Sequence, residues 1–352
     1  MKYAMVLLAS LTILTIGLSA DPSWKLDESC YVGAARSFIA GTPTVNPEHP
    51  PLAKYFIALS IKTFGDTPLG WRFSCALAGA FAALSGFGLS LRLTRRLTSA
   101  YVGWLLLLAN GFLFVMSRMA NLSIFELAFE MGAVWLFVIA IEENAPSLFA
   151  CSGVLFGLSV ASRWGGAVGL MVCGSYALLK NRRMIPNVLL MGGAAVATYA
   201  VAWIPLLLRE HRSVGYLITA NQFILHFHRF AVTDPRPGEP WFTWPVTFNP
   251  QESLTEIVAN PVVASCGLVA LLVLLWSRKP LLPALYIAHL MQWAVVSFHW
   301  QHYYYYLNAF TWLTLALAVS LQSAMVRRFK LDVMVLAGAV GSATYPVWIA
   351  LQ

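Results

Sequence analysis

Two adjacent carboxylates, Asp27 and Glu28 in "LDESC", stand some twenty residues before "NPEHPPLAKYF", which carries Glu48, His49 and Lys54; Arg72 follows in "GWRFSCALAG". A carboxylate can take the proton of a hydroxyl. A lysine can hold a phosphate as a mobile point charge and an arginine as a two-pronged fork. His49 can donate to a phosphate oxygen or make a structural hydrogen bond. Each residue also has an ordinary alternative. Asp27 can cap a helix, and Lys54, Arg72 and Lys62 can reach from an apolar face to the membrane surface.

The elements that must carry these groups are legible nearby. After Asp27, the residues Tyr31, Ala34, Ala35 and Phe38 make an apolar stripe that Gly41 stops. Pro50 and Pro51 suit a first helical turn, Leu52, Phe56 and Leu59 repeat at helical spacing, and Gly65 ends the run. Two amphipathic helices lying at a membrane surface are expected, within a first outer loop spanning residues 21–70. A second outer loop covers residues 209–256.

Composition explains why a surface is needed. With 59% hydrophobic residues, 11% charged and a mean hydropathy of +0.69, the chain is excluded from the water-soluble class. Its apolar runs suit helices crossing a hydrocarbon core of roughly 30 Å, and no period-two alternation suggests a barrel. The expected fold is an all-α polytopic membrane protein, a single domain over residues 1–352. About eleven spans are expected, near 3–20, 71–91, 101–116, 122–141, 147–161, 164–179, 188–208, 259–276, 282–298, 305–321 and 333–351. Residues 147–179 can be a tight hairpin or one broken element.

Short basic clusters at 92–96, 180–183, 277–279 and 327–330 fall on one side of this arrangement, which makes that side cytoplasmic. The two long loops then face outward, and function is sought there, in a multi-pass protein of the plasma membrane. The first apolar segment reads as a retained span, because Leu18 suits a signal-peptidase site poorly. Cys30, Cys75, Cys151, Cys173 and Cys266 lack metal-like spacing, and no acidic cluster stands out. No metal and no cofactor are expected. The net charge of +8 is accounted for by the basic clusters and anionic lipid, without nucleic acid.

Other residues carry weaker signals. Glu126 and Glu130 share one face of a span and can pair with Arg118 or reach a site. In "FHWQHYYYYLN", His302 and its aromatic neighbours form an interfacial belt or a sugar-stacking wall. Trp241 and Trp244 are equally ambiguous. With Glu48 and Arg118, these residues complete the candidates for a cavity wall.

"LDE", "EHPPLAK" and the arginine-bearing second span together resemble the first outer loop of the dolichyl-phosphate-mannose protein mannosyltransferases. That family belongs to the C-type, lipid-phosphate-dependent glycosyltransferases, with the lipid A aminoarabinose transferases as further members. "MSRMA", "ASRWGG" and "PWFTWPVTF" are fainter echoes, and the similarity runs along nearly the whole chain. Two positions depart from the pattern: Ser123 stands where an Asp is common and Arg163 where a Lys is. The second outer loop, about fifty residues long, cannot hold the β-trefoil domain that eukaryotic members insert, which implies a prokaryotic type.

The resemblance implies transfer of a sugar, mannose by analogy, from a polyprenyl-phosphate donor to a hydroxyl, with Ser or Thr of an exported protein as acceptor. A glycolipid or envelope glycan as acceptor is the alternative, and a secondary transporter is a third reading that lacks the expected repeat. Such a transfer needs one base and cations on the phosphate, and a carboxylate on the opposite face gives inversion. Asp27 is the expected base with Glu28 as its partner, and Lys54, Arg72 and His49 are the expected phosphate ligands.

Overall fold

The structure, a computed structural model, describes residues 1–231, 240–247, 257, 259–295 and 302–320. The expected last span (333–351), the basic cluster at 327–330, part of the second outer loop and residues 298–301 lie outside the described residues. Among the described residues there are helices and no strands, so the all-α class is observed. Pro68–Thr94, Ser123–Glu143 and Arg182–Arg209 are long and apolar enough to cross a membrane.

The described helices are α1 (Lys2–Thr15), α2 (Glu28–Ala40), α3 (Leu52–Phe64), α4 (Pro68–Thr94), α5 (Leu97–Leu108), α6 (Gly111–Met116), α7 (Ser123–Glu143), α8 (Pro146–Ser162), α9 (Ala167–Lys180), α10 (Ile185–Ala202), α11 (Ile204–Arg209), α12 (Tyr216–His226), α13 (Pro261–Trp276), α14 (Leu281–Val295) and α15 (Leu307–Ser320). Local chemistry accounts for several departures from the expected spans. α1 stops at Thr15 because Gly17 adopts φ +70 and Arg118 donates to the carbonyls of Leu14 (3.0 Å) and Ile16 (2.6 Å). The third expected span breaks at Asn110, whose carboxamide accepts from the Leu113 N–H at 3.3 Å and so starts α6. The seventh breaks before Pro205, which has no N–H to continue α10. Residues 147–179 form two helices, α8 and α9, separated by a 3₁₀ turn at Trp164–Gly166.

The chain packs as two compact units. The first comprises Met1–Ser10, Ala83–Val115 and Pro235–Gln352; the second comprises Leu11–Ala82 and Met116–Asp234. In the first, α15 packs on α5, α13 and α14, and Phe112 meets Tyr303, Tyr306 and Phe310 ring to ring. In the second, α8 packs on α7 and α10. Two glycines allow the α8–α10 approach: a Cβ on Gly153 would lie 2.2 Å from the Met191 carbonyl oxygen, and one on Gly157 would lie 2.5 Å from that of Ala195. Small residues at such contacts let helix backbones come close in lipid, where packing replaces the hydrophobic drive.

α2 and α3, both in the second unit, pack together as the two helices expected in the first outer loop. α2 buries Val32, Ala34, Ala35 and Ser37, and Gly41 closes it at φ 69 by donating to Ser37 O. On α3, Ala53, Lys54, Ile57, Ala58 and Ile61 are buried, whereas Leu59 is 62% exposed. Small residues face the protein here, and a large aliphatic side chain points outward as it can on a helix at a lipid surface.

Candidate functional site

Asp27 occupies the N-cap position of α2, but its side chain makes no capping hydrogen bond. The ordinary explanation of this aspartate is therefore not realised. The next residue has a different fate. Glu28 is 1% exposed, and its carboxylate accepts from Arg72 Nε (2.7 Å) and Nη2 (2.7 Å), from the Ala120 N–H (2.7 Å) and from the Lys25 N–H (3.0 Å). Arg72, on α4, also donates to the carbonyls of Asp21 (2.7 Å) and Ser23 (2.8 Å). The bidentate Glu28–Arg72 pair thus ties the loop before α2 to α4 and to the turn at Ala120. The guanidinium is committed to this pair and to loop backbone, so both residues mount the segment that carries Asp27.

Lys54 is positioned by the loop that the two prolines end. Asn46 takes a left-handed conformation (φ 61), which bends the chain over α3 and aims its oxygens at Lys54. Lys54 is 4% exposed; Nζ donates to the backbone carbonyl of Asn46, to Asn46 Oδ1 (3.3 Å) and to His49 O (2.9 Å). The Glu48 carboxylate accepts from Asn46 Nδ2. Burial brings the Lys54 ammonium down to about 7, with the charge of Glu48 opposing the shift.

His49 and Lys54 line a cavity of about 320 Å³, enclosed also by Thr44, Trp203, Leu206, Tyr216 and Phe223. Asp27, Glu28 and Arg72 are not among its lining residues. The walls are largely apolar, with Thr44, His49, Lys54, Tyr216 and Thr219 supplying polar groups, a mixture suited to a ligand with a charged head and a hydrocarbon body.

Sequence reasoning missed His228, which lies in the helical turn Phe227–Ala231 directly after α12. Its ring lies 5.0 Å from that of His49, and its Nε2 is 2.9 Å from Glu48 O. Burial lowers both imidazoles below their usual value, His49 strongly, and the Arg163 charge adds to the effect on each. One signal was available: "GYLITANQFILHFH" places Ala220 and Ile224, both buried on α12, at helical spacing after a glycine.

The two departures from the family pattern meet each other. Arg163 Nη1 donates to Ser123 Oγ at 3.0 Å and lies 3.9 Å from a Glu126 oxygen. Arg163 is thus a partner of Glu126 that the sequence reading had not named, while Arg118 caps α1. Trp241, Trp244 and His302 belong to the first unit. There Trp244 is fully buried, its ring 5.8 Å from Trp293 and 6.1 Å from Tyr306, and His302 is 1% exposed and stacked on Tyr304.

Residues 48–206, which include Lys54, His49 and Arg163, match the family model of dolichyl-phosphate-mannose-protein mannosyltransferases. The resemblance read from the motifs holds over that segment. A polyprenol-phosphate-mannose–protein mannosyltransferase of Mycolicibacterium smegmatis is 23% identical over 232 residues, 58% of this chain and 41% of that protein. The chain therefore spans less than half the length of that relative. Among solved structures, ArnT from Cupriavidus metallidurans bound to undecaprenyl phosphate aligns with a TM-score of 0.66 at 16% identity, over 98% of this chain and 64% of that one. The yeast protein O-mannosyltransferase Pmt1–Pmt2 complex, bound to its sugar donor, aligns at 0.52 and 21% identity over 59% of this chain and 34% of that one. The fold is that of ArnT and, over part of the chain, of the Pmt1–Pmt2 complex.

Proposed function

We propose that this protein is a membrane glycosyltransferase that moves a sugar, mannose by kinship, from a polyprenyl-phosphate donor to a Ser or Thr hydroxyl of an exported protein, at the outer face of the plasma membrane. The observation that carries this reading is the buried Lys54, which with His49 lines a largely apolar cavity. The mycobacterial relative supports it, as do the similar folds bound to undecaprenyl phosphate and to a sugar donor.

In this mechanism Asp27 takes the proton of the acceptor hydroxyl, whose oxygen attacks the anomeric carbon from the face opposite the phosphate. The bond from that carbon to the phosphate oxygen breaks, its electron pair leaves with the phosphate, and the configuration inverts. Lys54, with His49 beside it, meets the growing negative charge. Glu28 and Arg72 hold the Asp27 segment in place. No metal or cofactor has a part in this reading, because phosphate leaves well without either.

One observation favours a second acceptor class. The alignment with ArnT covers 98% of this chain and that with Pmt1–Pmt2 covers 59%, which keeps an envelope glycolipid in view. The test is reconstitution of the purified chain with labelled polyprenyl-phosphate-mannose and either a Ser/Thr-rich peptide or an envelope lipid extract. Label in the peptide is expected. Label only in lipid would move the acceptor, and no transfer to either would remove the enzymatic reading.

A further inference from the structure

The surroundings of Lys54 are unusual for a resting cation. All three oxygens around Nζ are neutral, and among the described residues no carboxylate comes within ion-pair distance of it. Glu48, the nearest acid in sequence, is turned to Asn46. Further groups able to carry positive charge surround His49, which lines the cavity: His228 lies ring to ring with it and the Arg163 charge reaches it from the end of α8, although neither is itself a lining residue. Tyr31 of α2 lies 6.1 Å from the His49 ring, and Tyr216 of α12 lines the cavity. Glu126 of α7 faces Arg163. A carbonyl oxygen can only accept, so His228 carries its hydrogen on Nε2, toward Glu48 O, and keeps a lone pair on Nδ1.

Such a cluster resists being charged while empty, because burial penalises each charge and neighbouring cations add to the cost at the two histidines. An arriving phosphate reverses that balance. Resting on the reading above, we infer that Lys54, His49 and His228 form one proton-loading anion site, in which the phosphate of the lipid is met by protons taken up from water. His228 is thereby a phosphate-site residue contributed by the second outer loop. The site also distinguishes substrate from product. The donor is a phosphodiester with one negative charge, whereas the lipid phosphate left after transfer is a monoester that reaches two. The product draws in more protons and is held more tightly as pH falls, so acid slows its release.

The sign follows from the directions of the shifts. Without ligand, Lys54 sits at about 7 and both imidazoles below their usual value; phosphate raises all three, so binding takes up protons and weakens as pH rises through the range above 7. The experiment is calorimetric titration of the full-length chain in nanodiscs with farnesyl phosphate, from pH 6.5 to 9.5, in pairs of buffers with different ionisation heats. Above pH 7.5 the probe is already dianionic, so the remaining pH dependence belongs to the protein.

Affinity is expected to fall about tenfold per pH unit above pH 8, with close to one proton taken up per ligand. Lys54→Arg should bind more weakly but with a flat profile, because a guanidinium stays charged throughout. His228→Gln should reduce proton uptake near pH 7 and leave the slope above pH 8 intact. Wild-type affinity that stays level to pH 9.5, as for a lysine with the usual value near 10.4, would overturn the inference. Unchanged uptake in His228→Gln would remove His228 from the site. No binding at any pH would remove the phosphate site itself, and the reading it rests on.

Discussion

At the scale of single residues, adjacent carboxylates have opposite tasks. Asp27 makes no cap, while Glu28, its neighbour, is buried in four hydrogen bonds. A buried pair adds little net stability when intact but is costly to break, because the surviving charge is left in a poor solvent. Glu28→Gln is therefore expected to destabilise the protein by about 3–5 kcal/mol, measured by unfolding in mixed micelles. The double variant Glu28→Gln, Arg72→Met should recover part of that loss and keep its donor affinity. A double variant that is stable but blind to donor would return Arg72 to the phosphate. The motifs point to every one of these residues, but they assign Arg72 to the phosphate, whereas its guanidinium is paired with Glu28. A bidentate contact between positions 28 and 72 depends on how α2 and α4 dock, which neither local sequence specifies. His228 had only a weak signal for a similar reason: a histidine just beyond a helix acquires meaning only from the ring placed against it.

At the scale of elements, hydrophobic runs and glycine or proline punctuation located α2, α3 and the apolar helices to within a few residues. They did not specify which face of α3 meets the protein, because at a lipid surface a leucine is as content outside as inside, and the Leu52–Phe56–Leu59 stripe does not reveal which side is protein. They were equally silent on α8 and α10, whose closeness is set by glycines. Gly153→Ala would thrust a Cβ to 2.2 Å from a carbonyl oxygen of α10. A cost of about 1–3 kcal/mol is expected, read from the apparent Tm in detergent. Gly192→Ala is the matched control on α10. Its Cβ would meet nothing within 4 Å, so it should be neutral or stabilising by about 0.4–1 kcal/mol. Equal effects at both positions would mean that the α8–α10 contact is not tight in the membrane.

At the scale of the whole molecule, composition alone fixed the all-α membrane class, and three helices long enough to span bear it out. Orientation is a separate matter, which the basic clusters argue and which labelling can decide. In a background without the five native cysteines, Ser213→Cys should react with an impermeant maleimide on intact cells and Arg182→Cys only after permeabilisation. Reaction of both from one side would mean that the chain between α9 and α11 crosses the membrane differently.

The central claim is that a lipid-linked phosphate docks at Lys54 while Asp27 activates the acceptor, and one side-by-side measurement reaches it most directly. Wild type, Asp27→Asn and Lys54→Met are compared for binding of labelled polyprenyl-phosphate-mannose and for its single-turnover transfer to acceptor. Asp27→Asn should bind donor almost as wild type does and transfer it about 10²–10⁴-fold more slowly, since an amide cannot take the proton. Lys54→Met should lose donor affinity and rate together, the rate by about 10²–10³-fold. Wild-type turnover in Asp27→Asn, or normal binding and rate in Lys54→Met, would contradict the account.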